Sequence, residues 1–469
     1  METSDRKLLN RTFEIIDEYL NDVGDRKVVI NKKPNELNDI IKFPIEEEGI
    51  SDEELLEKIE LYLKYSVHSS SKQYSNQLFA GTSLPSLIGE YLAATVNTSN
   101  YTYEVSPIGT MMERELVAKM SSKIGYKKGG GTMLTGGSNA NLMAMVCARQ
   151  KYFPEVKTKG MAAIGNITLF VSEQSHYSFE KATNVLGIGI DNLRKVKSNS
   201  RGEMIPQELE NEIIKSKGSG EKPFFVVATA GTTELGAFDP IKEINEIAKK
   251  YDLWFHIDGA WGGSVLLSDT HKTLLDGSEL SDSFTWDAHK MMNVPLICSA
   301  ILVNEEKYLV EATHTHNANY IFREHEHDQY DLGTYSIQCA KKVDSLKLWF
   351  AWKYYGDKGY NKRINHLFEL AQYATNIINN HPRLELMAET ISLNVNFRII
   401  YDEDIINEKN LDVRNKLVEI GDSISNYCFI KGHVSFRLIT NNAEKNFEDI
   451  DKFFVNLFEA EKIYELENL

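Results

Sequence analysis

Four short apolar runs constrain the fold of this chain most. They lie at residues 167–171, 224–228, 253–257 and 299–303, and stretches of helical periodicity separate them. Strands as apolar as these are typical of a mainly parallel sheet that helices cover on both faces. The sequence therefore predicts an α/β fold with a mainly parallel central sheet. In such a sheet, ligands bind at the carboxyl ends of the strands.

Segments of a different pattern flank this region. Before it, apolar residues recur at helical spacing on either side of a polar stretch at 31–38, which predicts helices joined by a loop. These helices cannot bury an apolar face alone, so we expect them to pack on a partner such as a second subunit. After it, 345–355 predicts a connecting helix, while 395–399 and 434–438 predict strands of a smaller α/β domain. The predicted division is an N-terminal helical segment, a large domain and a small C-terminal domain, at residues 1–75, 76–355 and 356–469.

Charge and cysteine spacing limit the class of protein. The chain has 469 residues and a net charge of -16, which disfavours a nucleic-acid partner. Four widely spaced cysteines without a C-x-x-C pair favour reduced thiols. The first residues lack the apolar segment of a signal peptide, and no apolar run has the length of a membrane span. We therefore expect a cytoplasmic protein without a membrane partner.

A lysine and an aspartate at two strand ends indicate the chemistry. Lys290 stands beside His289, after a strand-like run and before an apolar segment, and desolvation makes such a lysine a better amine nucleophile. Asp258 closes the run at 253–257, and the small Ala260 behind it would let a ring lie flat. A pyridoxal phosphate site requires a lysine that forms the Schiff base and an acid that keeps the pyridine nitrogen protonated. Taken singly, the pair could be a surface lysine and a turn aspartate.

Two further features fit such a site. The turn around Gly137 and Ser138 opens a predicted helix, where backbone N–H groups and the helix dipole can bind a phosphate. Alone, this pattern is more often a tight turn with a helix cap. His176 follows the run at 167–171 and could stack on a planar ring, although a structural loop histidine is the commoner case.

From about residue 77 to its C-terminus, the chain resembles the group II decarboxylases that depend on pyridoxal 5'-phosphate. The resemblance is to the branch with animal glutamate decarboxylase and cysteine sulfinic acid decarboxylase. It implies the aminotransferase-like fold type I and a homodimer. The matching segments are residues 76–81, 101–107, 152–163, 172–178, 228–233, 236–240, 261–268 and 289–292.

The resemblance also implies roles for individual residues. Lys290 would be the Schiff-base lysine, Asp258 the partner of the pyridine nitrogen, and His176 the stacking residue. Gly137 and Ser138, helped by His289, would hold the phosphate.

Other matching residues would act on the substrate. Tyr320 would return a proton to Cα after CO₂ leaves. Gln77 and Arg437 would bind the substrate carboxylate, and a bidentate guanidinium suits a carboxylate or sulfinate. Phe79 stands where glutamate decarboxylases tend to have serine, so this position resembles the cysteine sulfinate and aspartate branch.

The chain departs from the family at two other places. Asp287 and Ala288 precede His289, where the family usually has Asn-Pro, and the catalytic loop is slightly shorter. The histidines at 314, 316, 325 and 327 have metal-like spacing, but H-x-H pairs on a loop are weak evidence, so no metal is predicted.

These observations predict a pyridoxal phosphate enzyme that decarboxylates glutamate, aspartate or cysteine sulfinate to the amine and CO₂. One alternative is another amino acid, such as 2,4-diaminobutyrate. Another is oxidative deamination or transamination at the same site, against which Tyr320 argues. A third is a catalytically silent homologue, against which Lys290, Asp258 and His176 argue.

Overall fold

The computed structural model describes residues 3–314 and 326–468. The chain folds into two compact units. The first contains Met1–Gly81, Leu370–Ala388 and Val395–Leu469, and the second contains Thr82–Glu369 and Glu389–Asn394. The three-part domain division made from the sequence stays a prediction. No helix in the described ranges has the length and apolar character that a membrane crossing needs.

The helices are numbered in chain order. They are α1 Thr3–Asp22, α2 Pro34–Ile41, α3 Asp52–Tyr65, α4 Leu84–Val96, α5 Pro107–Ile124, α6 Gly137–Tyr152, α7 Val156–Lys159, α8 Ser178–Val185, α9 Pro206–Gly218, α10 Ile241–Tyr251, α11 Lys307–Thr313, α12 Asp344–Asn380, α13 Ile406–Ile420 and α14 Phe447–Glu467. The strands are β1 Tyr74–Ser75, β2 Gly130–Leu134, β3 Ile167–Ser172, β4 Leu193–Val196, β5 Lys222–Thr229, β6 Trp254–Gly259, β7 Ser283–Asp287, β8 Ser299–Val303, β9 Leu384–Leu386, β10 Asn394–Ile399, β11 Ile424–Ile430 and β12 His433–Ile439.

The second unit is built on a seven-stranded sheet with the order β2-β8-β7-β6-β5-β3-β4. Neighbouring strands from β7 to β4 are parallel, while β8 runs antiparallel to both β7 and β2. The predicted mainly parallel sheet is therefore confirmed. All four apolar runs are strands, and the run at 299–303 has the predicted bounds.

The apolar runs form this sheet because both of its faces are buried. Every residue of β3, β6 and β7 is buried. Helix α6 packs on the sheet through small and flexible side chains, among them Ala140, Met143 and Ala144, each 0% exposed. Complete burial of a large apolar side chain contributes about 1.5–3 kcal/mol, so such a sheet forms a rigid base for residues at its edge.

The first unit contains a five-stranded sheet with the order β1-β11-β12-β10-β9. Its core joins apolar side chains of β10 and β12 to those of α13 and α14, and Phe397 and Phe436 stack 5.2 Å apart between ring centroids.

Helix α12 includes the helix predicted at 345–355 and continues beyond it, with a kink at Gly356, where φ is 61°.

The loop predicted at 31–38 is partly wrong, because α2 begins at Pro34. Proline is favoured at the first helical position, where its missing N–H has no role. The carboxylate of Glu36 accepts a hydrogen bond from the backbone N–H of Lys33 at 2.9 Å, which caps the helix. Composition indicated a loop, whereas the short-range capping pattern favours a helix.

Candidate active site

Four predicted site segments lie at one edge of the seven-stranded sheet. β2, β3, β6 and β7 run in the same direction, so their carboxyl ends share that edge. The turn at Gly137 follows β2, His176 follows β3, Asp258 lies near the end of β6, and Lys290 follows β7. This edge is the ordinary ligand position of a parallel sheet.

Hydrogen bonds from two sides hold Asp258. The residue is 4% exposed. Its Oδ2 accepts a bond from Nδ2 of Asn141 at 2.9 Å, and its Oδ1 accepts one from the backbone N–H of Ala260 at 3.1 Å. Donors that bind the charged form of a buried acid also fix its direction. A carboxylate fixed in this way can hold a proton on a ring nitrogen.

Behind Asp258 lies a buried polar network that was missed in the sequence. Oδ1 of Asn141 accepts a bond from the hydroxyl of Thr285 at 2.7 Å and lies 3.1 Å from Nε2 of His256. Nδ1 of the same histidine lies 2.8 Å from Oγ of Ser283. Strand residues two apart share a face, so His256 could have been found from its spacing to Asp258. No comparable signal marked Asn141.

Burial keeps the histidine of this network neutral. His256 is completely buried, and the loss of hydration lowers the pKa of its ring to about 3. A neutral imidazole presents one donor and one acceptor. The ring therefore links Asn141 to Ser283 without adding a positive charge to the network behind Asp258.

Lys290 extends from a tight turn at the end of β7. Met291 and Met292 after it are 1% and 0% exposed, which confirms the predicted apolar setting. The lysine side chain itself is 20% exposed, and its Nζ lies 3.2 Å from Oδ2 of Asp287. The turn thus anchors the backbone while the amine stays accessible.

His176 is half-buried, and burial favours the neutral form of its ring. Burial is the largest cause that lowers the pKa of His176; Asp258 opposes this effect, while Lys290 adds to it. Nδ1 accepts a hydrogen bond from the backbone N–H of Ser178 at 3.2 Å, so the proton of the neutral ring lies on Nε2. A neutral flat ring at this edge is suited to stacking on a planar cofactor.

The turn before α6 offers backbone donors at the same edge. Gly136 has φ 108°, a conformation that favours glycine, and a Cβ on Gly137 would lie 2.7 Å from Oδ2 of Asp287. Ser138 is exposed, whereas His289 is buried and its pKa is lowered by burial. The space beside Gly136 is open, whereas a side chain at Gly137 would collide with the Asp287 carboxylate, so only glycine lets the backbone N–H groups of this helix start face a cofactor phosphate.

The predicted substrate residues lie in the first unit. Arg437, 5% exposed, donates from Nη2 to the backbone oxygen of Asn76 at 3.2 Å, next to Gln77. Gln77 is exposed, while Phe79 is half-buried with its ring centroid 6.1 Å from that of Tyr74. Strand β12 and the segment after β1 therefore bring the three predicted residues into one part of this unit.

Tyr320, the predicted proton donor, lies outside the described residues. Within 3–314 and 326–468, no cluster of three or more His, Cys, Asp or Glu side chains could hold a metal ion.

Comparison with known proteins gives matches over most of the chain. The family described as the pyridoxal-dependent decarboxylase conserved domain matches residues 34–400. Cysteine sulfinic acid decarboxylase of Mus musculus is 36% identical over 90% of this chain and 86% of the relative. Acidic amino acid decarboxylase GADL1 of Xenopus tropicalis is 38% identical over 87% of this chain and 80% of the relative.

A solved structure of one of these relatives also matches this chain over nearly its whole length. The crystal structure of mouse CSAD in its apo form superimposes with a TM-score of 0.94 at 34% identity, over 97% of this chain and 98% of the mouse chain.

Proposed function

The chain belongs to the pyridoxal-dependent decarboxylase family, and from this membership we propose that it converts a small acidic L-amino acid to the amine and CO₂. Its cofactor is pyridoxal 5'-phosphate. The observation that carries the proposal is the buried hydrogen bond between Asn141 and Asp258, at the sheet edge from which Lys290 extends. Names of relatives that include cysteine sulfinic acid and acidic amino acids support the substrate class.

Asp258 would stabilise the protonated pyridine nitrogen of the cofactor by its negative charge. When bound, pyridoxal 5'-phosphate supplies an aldehyde that condenses with amines and a ring that accepts the electron pair left by CO₂. The carboxylate of Asp258 would hold a proton at the pyridine nitrogen, and hydrogen bonds from Asn141 and Ala260 fix the orientation of that carboxylate. Because these donors are in place beforehand, little reorganisation is needed during the reaction.

Lys290 and His176 would contact two different parts of the cofactor, its aldehyde and its ring. The Lys290 amine would hold the cofactor aldehyde and would be the group that a substrate amine replaces. The ring of His176 would stack on the cofactor ring and would orient it. Gly137, Ser138 and His289 hold the phosphate. All these contributions are orientation and charge placement.

Gln77, Phe79 and Arg437 select the distal acid group in this proposal. The burial of Arg437 supports it, because a guanidinium removed from water favours a hydrogen-bonded anion. One methylene separates glutamate from aspartate and is worth only about 1–3 kcal/mol of discrimination. These three residues therefore select a small acidic amino acid as a class.

A decarboxylation screen tests the substrate class. The purified chain is given L-glutamate, L-aspartate, L-cysteine sulfinate and, as a cationic control, L-2,4-diaminobutyrate, and CO₂ and amine are measured. Turnover of at least one of the three acids and not of the cation is expected. Turnover of the cation alone would refute the role of Arg437.

A spectroscopic experiment separates an enzyme from a silent homologue. The wild type with its cofactor is expected to show the visible absorbance of a lysine-bound aldehyde, and Lys290→Ala is expected to lose it. A band that persists in Lys290→Ala would place the attachment elsewhere.

Tyr320 returns the proton to Cα in this proposal. Tyr320→Phe is expected to abolish amine formation or to divert the product to aldehyde, which a coupled assay for both products detects. Unchanged amine yield would remove Tyr320 from the proton transfer.

We also propose a cytoplasmic homodimer. All four cysteines lie in the described ranges, and none of them forms a disulfide, which agrees with a reducing compartment. A stripe along α4 supports self-association, since Leu84, Ile88, Leu92 and Val96 recur every four residues and are 61%, 42%, 39% and 69% exposed. Contiguous exposed apolar surface of this kind marks an interaction site.

A further inference from the structure

The carboxylate of Asp287 lies among the groups that are proposed to hold the cofactor. Its Oδ2 lies 3.2 Å from Nζ of Lys290 and 3.7 Å from Nε2 of His289. The same oxygen lies 2.7 Å from the point where Gly137 would carry a Cβ. The sheet register explains this proximity, since Asp287 pairs with Ser299, which in turn pairs with Leu134 at the end of β2.

This carboxylate is buried and only partly compensated. The Asp287 side chain is 3% exposed, and its Oδ1 has no hydrogen-bond partner among the residues that the structure describes. Lys290 is the cation that pairs with Asp287, whereas burial lowers the pKa of both His289 and His176 and so favours the neutral form of these rings. An acceptor oxygen without a donor is costly in such a place.

A phosphate at Gly137 would meet this negative charge. A phosphate monoester carries about -1.5 to -2 charge near neutral pH, and an ionised carboxylate can accept hydrogen bonds but cannot donate one. Two anions at close range in a poorly hydrated site repel each other.

We propose that Asp287 sets the strength of cofactor retention by opposing the phosphate, so that this chain binds pyridoxal 5'-phosphate less tightly than it would with asparagine at this position. The proposal rests on the proposed function, because it takes Gly137, Ser138 and His289 as the phosphate site. Asp287 takes no part in the reaction itself; its carboxylate acts by repelling the negative charge of the phosphate.

The test compares two probes that differ only in the phosphate. Full-length Lys290→Ala and Lys290→Ala/Asp287→Asn chains, freed of cofactor, are titrated with pyridoxal 5'-phosphate and with pyridoxal, and binding is measured by calorimetry. Loss of Lys290 removes the effect of Asp287 on the amine. Asp287→Asn is expected to lower the Kd for pyridoxal 5'-phosphate about tenfold or more and to change that for pyridoxal less than about twofold.

Asp282→Asn in the Lys290→Ala background is the matched control. Asp282 immediately precedes the same strand, about 17 Å away, and an asparagine there keeps an oxygen for the backbone N–H of Phe255. This control is expected to leave both Kd values unchanged. An unchanged Kd for pyridoxal 5'-phosphate in the Asp287 variant, or an equal gain for pyridoxal, would overturn the proposal. Circular dichroism verifies that each variant is folded. If the Asp287→Asn variant does not fold, Asp287→Ser takes its place, because serine also lacks the negative charge.

Failure of this inference is distinguishable from failure of the proposed function. A wild type that forms no visible band with pyridoxal 5'-phosphate contradicts the proposed function. A wild type that forms the band, together with an Asp287→Asn substitution that does not tighten binding, contradicts only the role of Asp287.

Discussion

At the scale of the residue, Asn141 joins parts of the site that lie far apart in sequence. Its side chain donates to Asp258 and accepts from Thr285, residues that lie 117 and 144 positions away in sequence. The roles of Lys290 and Asp258 could be predicted because each sits in a distinctive local segment. Asn141 could not, because its contacts depend on the packing of α6 against β6 and β7.

We expect Asn141→Ala to lower kcat about tenfold to a hundredfold. A hydrogen bond to a charged group contributes about 1.5–3 kcal/mol, and its loss leaves Asp258 less well directed. Steady-state kinetics on the acid that the screen identifies gives kcat and KM. Asn211→Ala, an exposed asparagine of α9, is the control and should retain wild-type kinetics. A wild-type kcat in Asn141→Ala would remove this residue from the support of Asp258.

His256 makes the stability of the fold depend on pH. Its pKa of about 3 in the folded chain lies below the unfolded value near 6.5, so the unfolded state binds the extra proton between these values. The free energy of unfolding therefore falls as pH falls below about 6.5. From pH 7.5 to 5 this residue accounts for about 2 kcal/mol of loss.

His256→Gln should remove that loss. Urea unfolding of the wild type and the variant at pH 7.5 and pH 5 gives the change in each chain, and their difference cancels contributions from other groups. The variant is expected to lose about 2 kcal/mol less on acidification. Equal losses in the two chains would show that the ring is not held neutral.

At the scale of the element, apolar runs predict strands well and turns carry the function. β8 matches its predicted bounds because five consecutive buried residues at 299–303 have no other stable place than a doubly covered sheet. Helix α2 was missed because its first residues, Pro34 and Asn35, continue a lysine- and asparagine-rich stretch that is typical of a loop. The turn between β2 and α6 was predicted from its glycines, but the neighbour that makes Gly137 necessary, Asp287, became visible only through the register of β2, β8 and β7.

Gly136→Ala should separate stability from cofactor binding. Gly136 has φ 108° and Gly160 has φ 73°, and at both positions no other group lies within 4 Å of the place that a methyl group would take. Alanine at either site stores backbone strain of about 1–3 kcal/mol, so both variants should lose similar unfolding free energy in urea. Only Gly136→Ala is expected to weaken binding of pyridoxal 5'-phosphate. Equal affinity in both variants would argue against a phosphate at this turn.

At the scale of the whole molecule, the outer face of α4 predicts an assembly of two copies. The family resemblance implied a homodimer, and the exposed stripe on α4 supports it with particular residues. Composition could not reveal this stripe, because exposed and buried leucines look alike until the helix is placed in the fold.

Ile88→Glu should disrupt that assembly. The residue is 42% exposed at the centre of the α4 stripe, and a buried unpaired carboxylate at an interface is costly. Light scattering coupled to gel filtration should show the mass of two chains for the wild type and a shift toward one chain for the variant. Ile214→Glu on α9, 54% exposed, is the matched control and should stay dimeric. A wild type with the mass of one chain would refute the homodimer.

The antiparallel strand β8 of the seven-stranded sheet has a consequence for biosynthesis. β2 ends at Leu134, but its partner β8 begins only at Ser299, and β7 with Asp287 and Lys290 lies on the far side of β8. During translation, the glycine turn therefore emerges long before the strands that place it beside the lysine. The strand register that brings this turn beside Lys290 is complete only after residue 303 has left the ribosome, so we expect cofactor capture at this edge to follow the synthesis of β8.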